Sequence, residues 1–198
     1  MIWDEPARQV VFHRPMTGPL VRTIVEAARG MFEQVLVSCE VMDRWFTDRA
    51  DNHFTTETGR IFKPDVIAPL ESFCCQDITK LMFLGPPEMM TPLQAHLREQ
   101  FAEHVTVLHA DTDLIQIMDK RVGKAAALKR VAQHYDVPLK QVMAIGDAPN
   151  DVGMLQLAGT AVAMDNAHER VKQVAHWIAP SNDDHGVHAA LVRFGLCQ

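Results

Sequence analysis

Residues 142–151 read VMAIGDAPND. Four consecutive apolar residues, Val142-Met143-Ala144-Ile145, run into Gly146 and Asp147, and a second acid, Asp151, follows after the turn Ala148-Pro149-Asn150. An unbroken apolar run of this length, bounded by turn residues, predicts a fully buried strand of the parallel type. That constrains the fold more than any other stretch, because parallel strands need helical crossovers on either side. In open parallel sheets, ligands bind beyond the carboxyl ends of the strands, at loops that lead into helices. Asp147 and Asp151 both fall on such a loop.

The patterning on either side agrees. Apolar spacing predicts a helix over Val122–Tyr135, a short helix Asp151–Ala158 ended by Gly159 at its C′ position, and a strand Ala161–Met164. Asn166 is placed to cap a helix Ala167–Trp177, and a last helix covers Val187–Phe194. Residues 119–198 therefore read α-β-α-β-α. The first 118 residues read as a smaller α+β unit. Its strands are expected at Gln9–His13, Gln34–Cys39, Asp43–Asp48, Ile78–Leu84, Val105–His109 and Leu114–Met118, and its helices at Pro19–Phe32, Pro64–Phe73 and Thr91–Phe101. Gly85-Pro86-Pro87 reads as a strand stop, and Thr91-Pro92 as the N-cap and first residue of the helix that follows.

Composition excludes several partners. A net charge of −6 and a pI near 5.9 argue against nucleic acid or an anionic membrane, both of which want a basic face. The four cysteines form no CxxC pair, so free thiols in a reducing compartment are expected rather than a zinc site or a disulfide framework. No apolar stretch reaches the ~18 residues of a membrane span, and the acidic start MIWDEPARQV lacks the apolar core of a signal peptide. A cytoplasmic protein is expected.

Two carboxylates converging at a strand end repel one another unless a cation sits between them, and Mg²⁺ suits one or two carboxylates plus waters and a substrate phosphate. Asn150 can orient a carboxylate or contact that phosphate. Taken as isolated acids, Asp147 and Asp151 read better as N-cap and first-turn residues than as metal ligands. The whole string G-D-x-x-N-D directly after a buried strand is far more specific.

The segment GDAPNDVGMLQLAGTAVAMDNAHERVKQVA resembles the C-terminal signature of the haloacid-dehalogenase superfamily, in its Cof-like (subfamily IIB) branch of phosphatases. The likeness extends upstream to Val122-Gly123-Lys124-Ala125, and downstream through Met164-Asp165-Asn166-Ala167 and Ser181-Asn182…Gly186-Val187. The resemblance implies the C-terminal part of a Rossmann-like core over residues 119–198 and an α+β cap domain over residues 1–118. It implies Mg²⁺ on Asp147 and Asp151 and a phosphate-neutralising role for Lys124; Asn150 and Asn166 are the candidate phosphate-side contacts, Asn166 reading first as a helix cap. The implied substrate is a small phosphorylated metabolite. Where the family usually has aspartate before Gly186, this chain has His185, which with His188 reads as a surface residue.

One expected partner is absent from the sequence. The family attacks phosphorus with an aspartate in a DxDG motif that ends the first core strand, and these 198 residues contain none. The one DxD, Asp111-Thr112-Asp113, precedes a strand and reads as a turn. A fragment or shortened frame of a phosphatase, inactive alone, is one expectation; a reduced metal- or phosphate-binding or assembly module on the same scaffold is the other. An unrelated doubly wound domain of the receiver or flavodoxin type is a third. The strand Val142–Ile145 would also lack its usual neighbour, leaving its edge and two apolar faces uncovered, so self-association, as a homodimer or a soluble aggregate, is expected.

Overall fold

In the computed structural model, which describes residues 1–50 and 63–197, the chain divides into two units, Met1–Arg121 and Val122–Gln198. The first opens with an antiparallel hairpin, β1 (Ile2–Asp4) and β2 (Gln9–Phe12). The buried Asp4 side chain accepts the amide of Ala7 at 3.1 Å and so holds the turn between them.

A six-stranded mixed sheet follows, built from β3 (Leu36–Val41), β4 (Arg44–Thr47), β5 (Val66–Ile67), β6 (Lys80–Leu84), β7 (Val105–Asp111) and β8 (Leu114–Asp119). Their spatial order is β5-β4-β3-β6-β8-β7, antiparallel throughout except for the β4–β5 pair. Two helices, α1 (Gly18–Met31) and α2 (Pro87–Phe101), bury apolar stripes on one face of it. Val21, Ile24, Ala28, Leu93 and Leu97 pack with Val37, Cys39, Phe83 and Ile117 in one core cluster. Because side chains alternate along a strand, Ser38, Glu40, Met82, Leu84 and Gln116 point to the opposite face. The β3–β4 connection is a two-residue turn, Met42-Asp43, with φ of 49° and 69°; two positive φ values match the twist of a hairpin.

Two expectations in this unit fail for the same reason, the reading of prolines. Pro64–Phe73 is not a helix but β5 followed by a single 3₁₀ turn, Leu70–Ser72. Pro69 restricts Ala68 to extended backbone, and Val66 and Ile67 find ladder partners in Phe46 and Thr47. The other concerns α2, which starts at Pro87 rather than Thr91. Pro86 is its extended N-cap, and Pro92 lies inside the helix. Two prolines in a row are preset for a helix start, whereas Pro92 removes one i→i−4 hydrogen bond that the buried Met90, Leu93 and Leu97 outweigh.

The second unit runs α3 (Lys124–His134), β9 (Met143–Gly146), α4 (Val152–Leu157), β10 (Thr160–Met164), α5 (Glu169–Lys172), β11 (Trp177–Ala179), α6 (Gly186–Arg193). Its three strands are parallel, in the order β11-β10-β9. The expected helix over Ala167–Trp177 is four residues long, and Trp177 instead opens a strand opposite Val162. β9 is an edge strand among the described residues, with Met143 and Ile145 half-buried, so it is not the fully covered strand its composition predicts. Gly159 does not close α4 in the left-handed conformation. Glycine is needed there because a Cβ would lie 1.9 Å from the Lys140 carbonyl oxygen, at the point where Gly159 donates its amide to Leu139. Among the described residues no helix is long and apolar enough to cross a membrane.

Candidate phosphate and metal site

At the end of β9 the chain turns through Asp147 and Ala148 into a 3₁₀ turn, Pro149–Asp151, which runs on into α4. Gly146 makes this possible, since a Cβ there would sit 2.5 Å from the Cβ of Asp151. Asp151 folds back into that space and is 2% exposed. Its Oδ2 accepts the amides of Asp147 and Ala148, each at 3.1 Å, and its Oδ1 accepts the Lys124 ammonium at 2.5 Å. Burial pushes the Asp151 carboxyl up, but Lys124 and the two amides together outweigh it and hold the group below the usual carboxylate range. Lys124 is the first residue of α3, and its side chain is half exposed. The pair therefore fixes one helix start to the carboxyl end of β9 while leaving the ammonium accessible.

Asp147 is exposed, and its carboxylate has no hydrogen-bond partner among the described residues; its carbonyl accepts the amide of His168 at 3.0 Å. Asn150 sits exposed on the same turn. Asn166 caps no helix. Its Oδ1 accepts the Asn182 amide at 3.1 Å, linking the loop after β10 to the loop after β11, and His168 caps α5 through its ring, which accepts the Arg170 amide at 3.2 Å. The structure thus brings Lys124, Asp147 and Asp151 together around one loop, with Asn150 on its turn and Asn166 one loop further along. Sequence reasoning placed Asp151 beside Asp147 as a paired acid. It missed that both Asp151 oxygens are already engaged, a consequence of the local fold that spacing alone does not reveal.

Other candidates separate from this site. His185 and His188 are exposed, His185 at a left-handed φ of 58° just before α6. Asp111-Thr112-Asp113 forms the β7–β8 turn, where Asp111 accepts the Thr112 amide at 2.7 Å. All four cysteines are free thiols, and burial pushes those of Cys39 and Cys74 up to about 12 and about 11. Another pair went unforeseen: Arg121 clamps the buried Asp119 through Nε at 2.9 Å and a terminal nitrogen at 2.7 Å, which holds that carboxyl below its usual range.

No group of three His, Cys, Asp or Glu side chains gathers among the described residues. The donor set still fits Mg²⁺, a hard cation that keeps several waters and takes only one or two carboxylates from the protein. Asp147 offers an unengaged carboxylate and Asp151 a charged one behind it.

A family profile described as haloacid dehalogenase-like hydrolase matches residues 1–191. The chain belongs to that family. Similarity to individual proteins is consistent with it. A 5-amino-6-(5-phospho-D-ribitylamino)uracil phosphatase of Bacillus subtilis is 25% identical over 178 residues, 89% of this chain and 66% of its own. A solved haloacid dehalogenase-like hydrolase from Bacteroides thetaiotaomicron superposes with a TM-score of 0.85 at 21% identity, covering 96% of this chain and 71% of that one. A subclass IIB sugar phosphatase superposes with a TM-score of 0.75 at 18% identity, over 96% of this chain and 72% of that one. The chain spans 23% to 66% of the length of four curated relatives, three named as phosphatases and one as a chloroplastic endoribonuclease.

Proposed function

We propose that residues 122–198 supply the metal- and phosphate-holding part of a phosphomonoesterase that acts on a small phosphorylated metabolite. The observation that carries this reading is the Lys124–Asp151 pair at 2.5 Å, beside the free carboxylate of Asp147, at the carboxyl end of a parallel strand. Mg²⁺ bound there supplies Lewis-acid stabilisation of phosphoryl charge. Asp147 would hold the ion directly. Asp151 would hold it directly or through water while fixing Lys124, whose exposed ammonium neutralises a phosphate oxygen as a point charge. Asn150 and Asn166 would contact the phosphate from neighbouring loops. Relatives named as phosphatases, one of them for a phosphorylated ribitylaminouracil, support the substrate class and no single compound.

The 198 residues contain no DxDG sequence, so no aspartate in that motif attacks phosphorus from within them. We expect this chain alone to bind Mg²⁺ and phosphate without turnover at an enzyme-like rate, because loss of a nucleophile costs roughly 10⁶ in the best-studied hydrolase. The alternative of a binding or assembly module rests on the same absence. Calorimetry separates site from turnover. Mg²⁺ should give heat with the chain as it stands and none with Asp147→Asn, while orthophosphate binding in Mg²⁺ should weaken about tenfold in Lys124→Ala. Equal Mg²⁺ heats from both proteins would remove the metal reading. Rapid hydrolysis of an aryl phosphate by the chain alone, lost in Asp147→Asn, would show a different nucleophile at work.

A partner belongs to this reading as well. β9 carries an unpaired backbone edge among the described residues, and a second copy of the chain is the occupant we propose for it. Light scattering that shows a compact monomer across the micromolar range would rule that out.

A further inference from the structure

A cavity of about 560 Å³ lies in the first unit between α1 and the segment that runs from the 3₁₀ turn Leu70–Ser72 to Cys75. Its walls follow from the sequence. Arg22, Glu26 and Arg29 are four and three residues apart and so share one face of α1. Gly18, the first residue of that helix, lets the facing segment come close, because a Cβ there would lie 2.6 Å from the Cys75 carbonyl oxygen. Val25 and Cys74, both buried, and the half-buried Leu70 supply the apolar part of the lining.

Four charges line this hollow, two of each sign: Arg22 and Arg29, Glu26 and Glu71. They do not satisfy one another. Arg22, Glu26 and Glu71 make no ion pair or hydrogen bond through their side chains among the described residues. Arg29 gives one terminal nitrogen to Asp48, and its Nε donates to nothing among the described residues. The Cys74 thiol records both signs at once. Burial pushes it up, Arg29 and Arg22 pull it down, and Glu71 pushes it up again. An inorganic anion would suit the two arginines and be repelled by Glu26 and Glu71, and a simple cation would meet the reverse. A ligand with one charge of each sign on an apolar body suits the whole lining. We propose that this cavity binds a small zwitterion with an apolar side chain, an α-amino acid of the phenylalanine, leucine or methionine kind. Arg22 and Arg29 take its carboxylate, Glu26 and Glu71 its ammonium, and Val25, Leu70 and Cys74 its side chain. The volume falls in the range of small-molecule pockets, roughly 300–1,000 Å³. The site is built from the first unit alone and uses none of the residues assigned to metal or phosphate.

Cys75 supplies the reporter, since its thiol lines the cavity and is exposed, whereas Cys39 and Cys74 are buried. On the full chain, alkylation of Cys75 by iodoacetamide should slow severalfold in saturating L-phenylalanine, with Cys197 as the internal reference. Glycine, 3-phenylpropanoate and phenethylamine, which lack the apolar body, the ammonium and the carboxylate in turn, should leave the rate unchanged at the same concentration. Arg22→Gln and Glu71→Gln alter exposed side chains without partners, so neither should disturb the fold. Each should weaken phenylalanine binding about tenfold, the loss of one hydrogen bond between charged groups. No protection by phenylalanine, protection by 3-phenylpropanoate or phenethylamine as strong as that by phenylalanine, or undiminished binding in both variants would each overturn the proposal.

Discussion

Asp48 and Asp151 are both buried aspartates with a cation beside them, and they titrate in opposite directions. Asp48, just past β4, bonds Arg29 and takes one long backbone amide bond, from Val37 at 3.3 Å. There burial dominates and holds the carboxyl above its usual range, against the pull of Val37, Arg29 and Arg49. Asp151 takes two amides at 3.1 Å as well as Lys124, and is held below. A neighbouring cation does not decide whether a buried carboxylate is comfortable. The balance between desolvation and the hydrogen bonds to its charged form does. Asp48 joins the core of a structural unit, whereas Asp151 is kept ionised at the mouth of a sheet, where a charge has a use.

Four substitutions probe that contrast. Asp151→Asn should be the most damaging, at about 3 kcal/mol at pH 7, since it leaves loop amides and Lys124 without their charged acceptor. Loss of hydrogen-exchange protection in β9 and β10 would report it. The cost should shrink on acidification: a depressed folded pKa contributes stability that is present above the unfolded value of about 4 and lost as pH falls through the folded one. Gly146→Ala, at about 2 kcal/mol, should reproduce part of this with every charge in place, by pushing Asp151 out of its niche. If it instead adds in full to Asp151→Asn, the two residues are not coupled and the geometry is misread.

Asp48→Asn should cost only about 1 kcal/mol, with the opposite pH trend. A raised folded pKa favours folding below about pH 4 and loses that contribution as pH rises through it, so the substitution should be better tolerated at pH 7 than at pH 4. The same trend for both aspartates would break the comparison. Lys124→Met should cost least in stability, about 0.5 kcal/mol, because the ammonium is half exposed and screened. Its consequence should appear in phosphate binding instead. A Lys124→Met protein that melts as early as Asp151→Asn would make the pair structural rather than functional.

The sequence named the candidate residues but not how they are wired to one another. Asp147, Asp151 and Lys124 are legible because a buried strand, a specific string and a helix start each leave a pattern in one dimension. The return of Asp151 onto Asp147 and Ala148 is not, because it depends on the space that Gly146 leaves, a through-space fact. The same division runs through the fold. α1, α6 and most strands keep their expected places within two residues, since hydrophobic period sets them. β5 and β11 went unread because two or three residues carry no measurable period and exist only through their partners, Phe46 and Val162. Asn166 has the chemistry of a cap, and the chain spends it on Asn182 instead.

The strand order β11-β10-β9 also bears on how the second unit is born. Each strand pairs with the next one made, Met143 with Thr160 and Val162 with Trp177, so every closure is short and each can form as soon as its crossover has emerged. The first unit must instead wait for Leu36 to meet Leu84 across an intervening stretch of chain before its central pair exists. Local closures cost less loop entropy and are reached sooner. Within these residues the parallel sheet of the second unit is thus closed by shorter loops than the β3–β6 pair at the centre of the first, and its closure costs less chain entropy per strand.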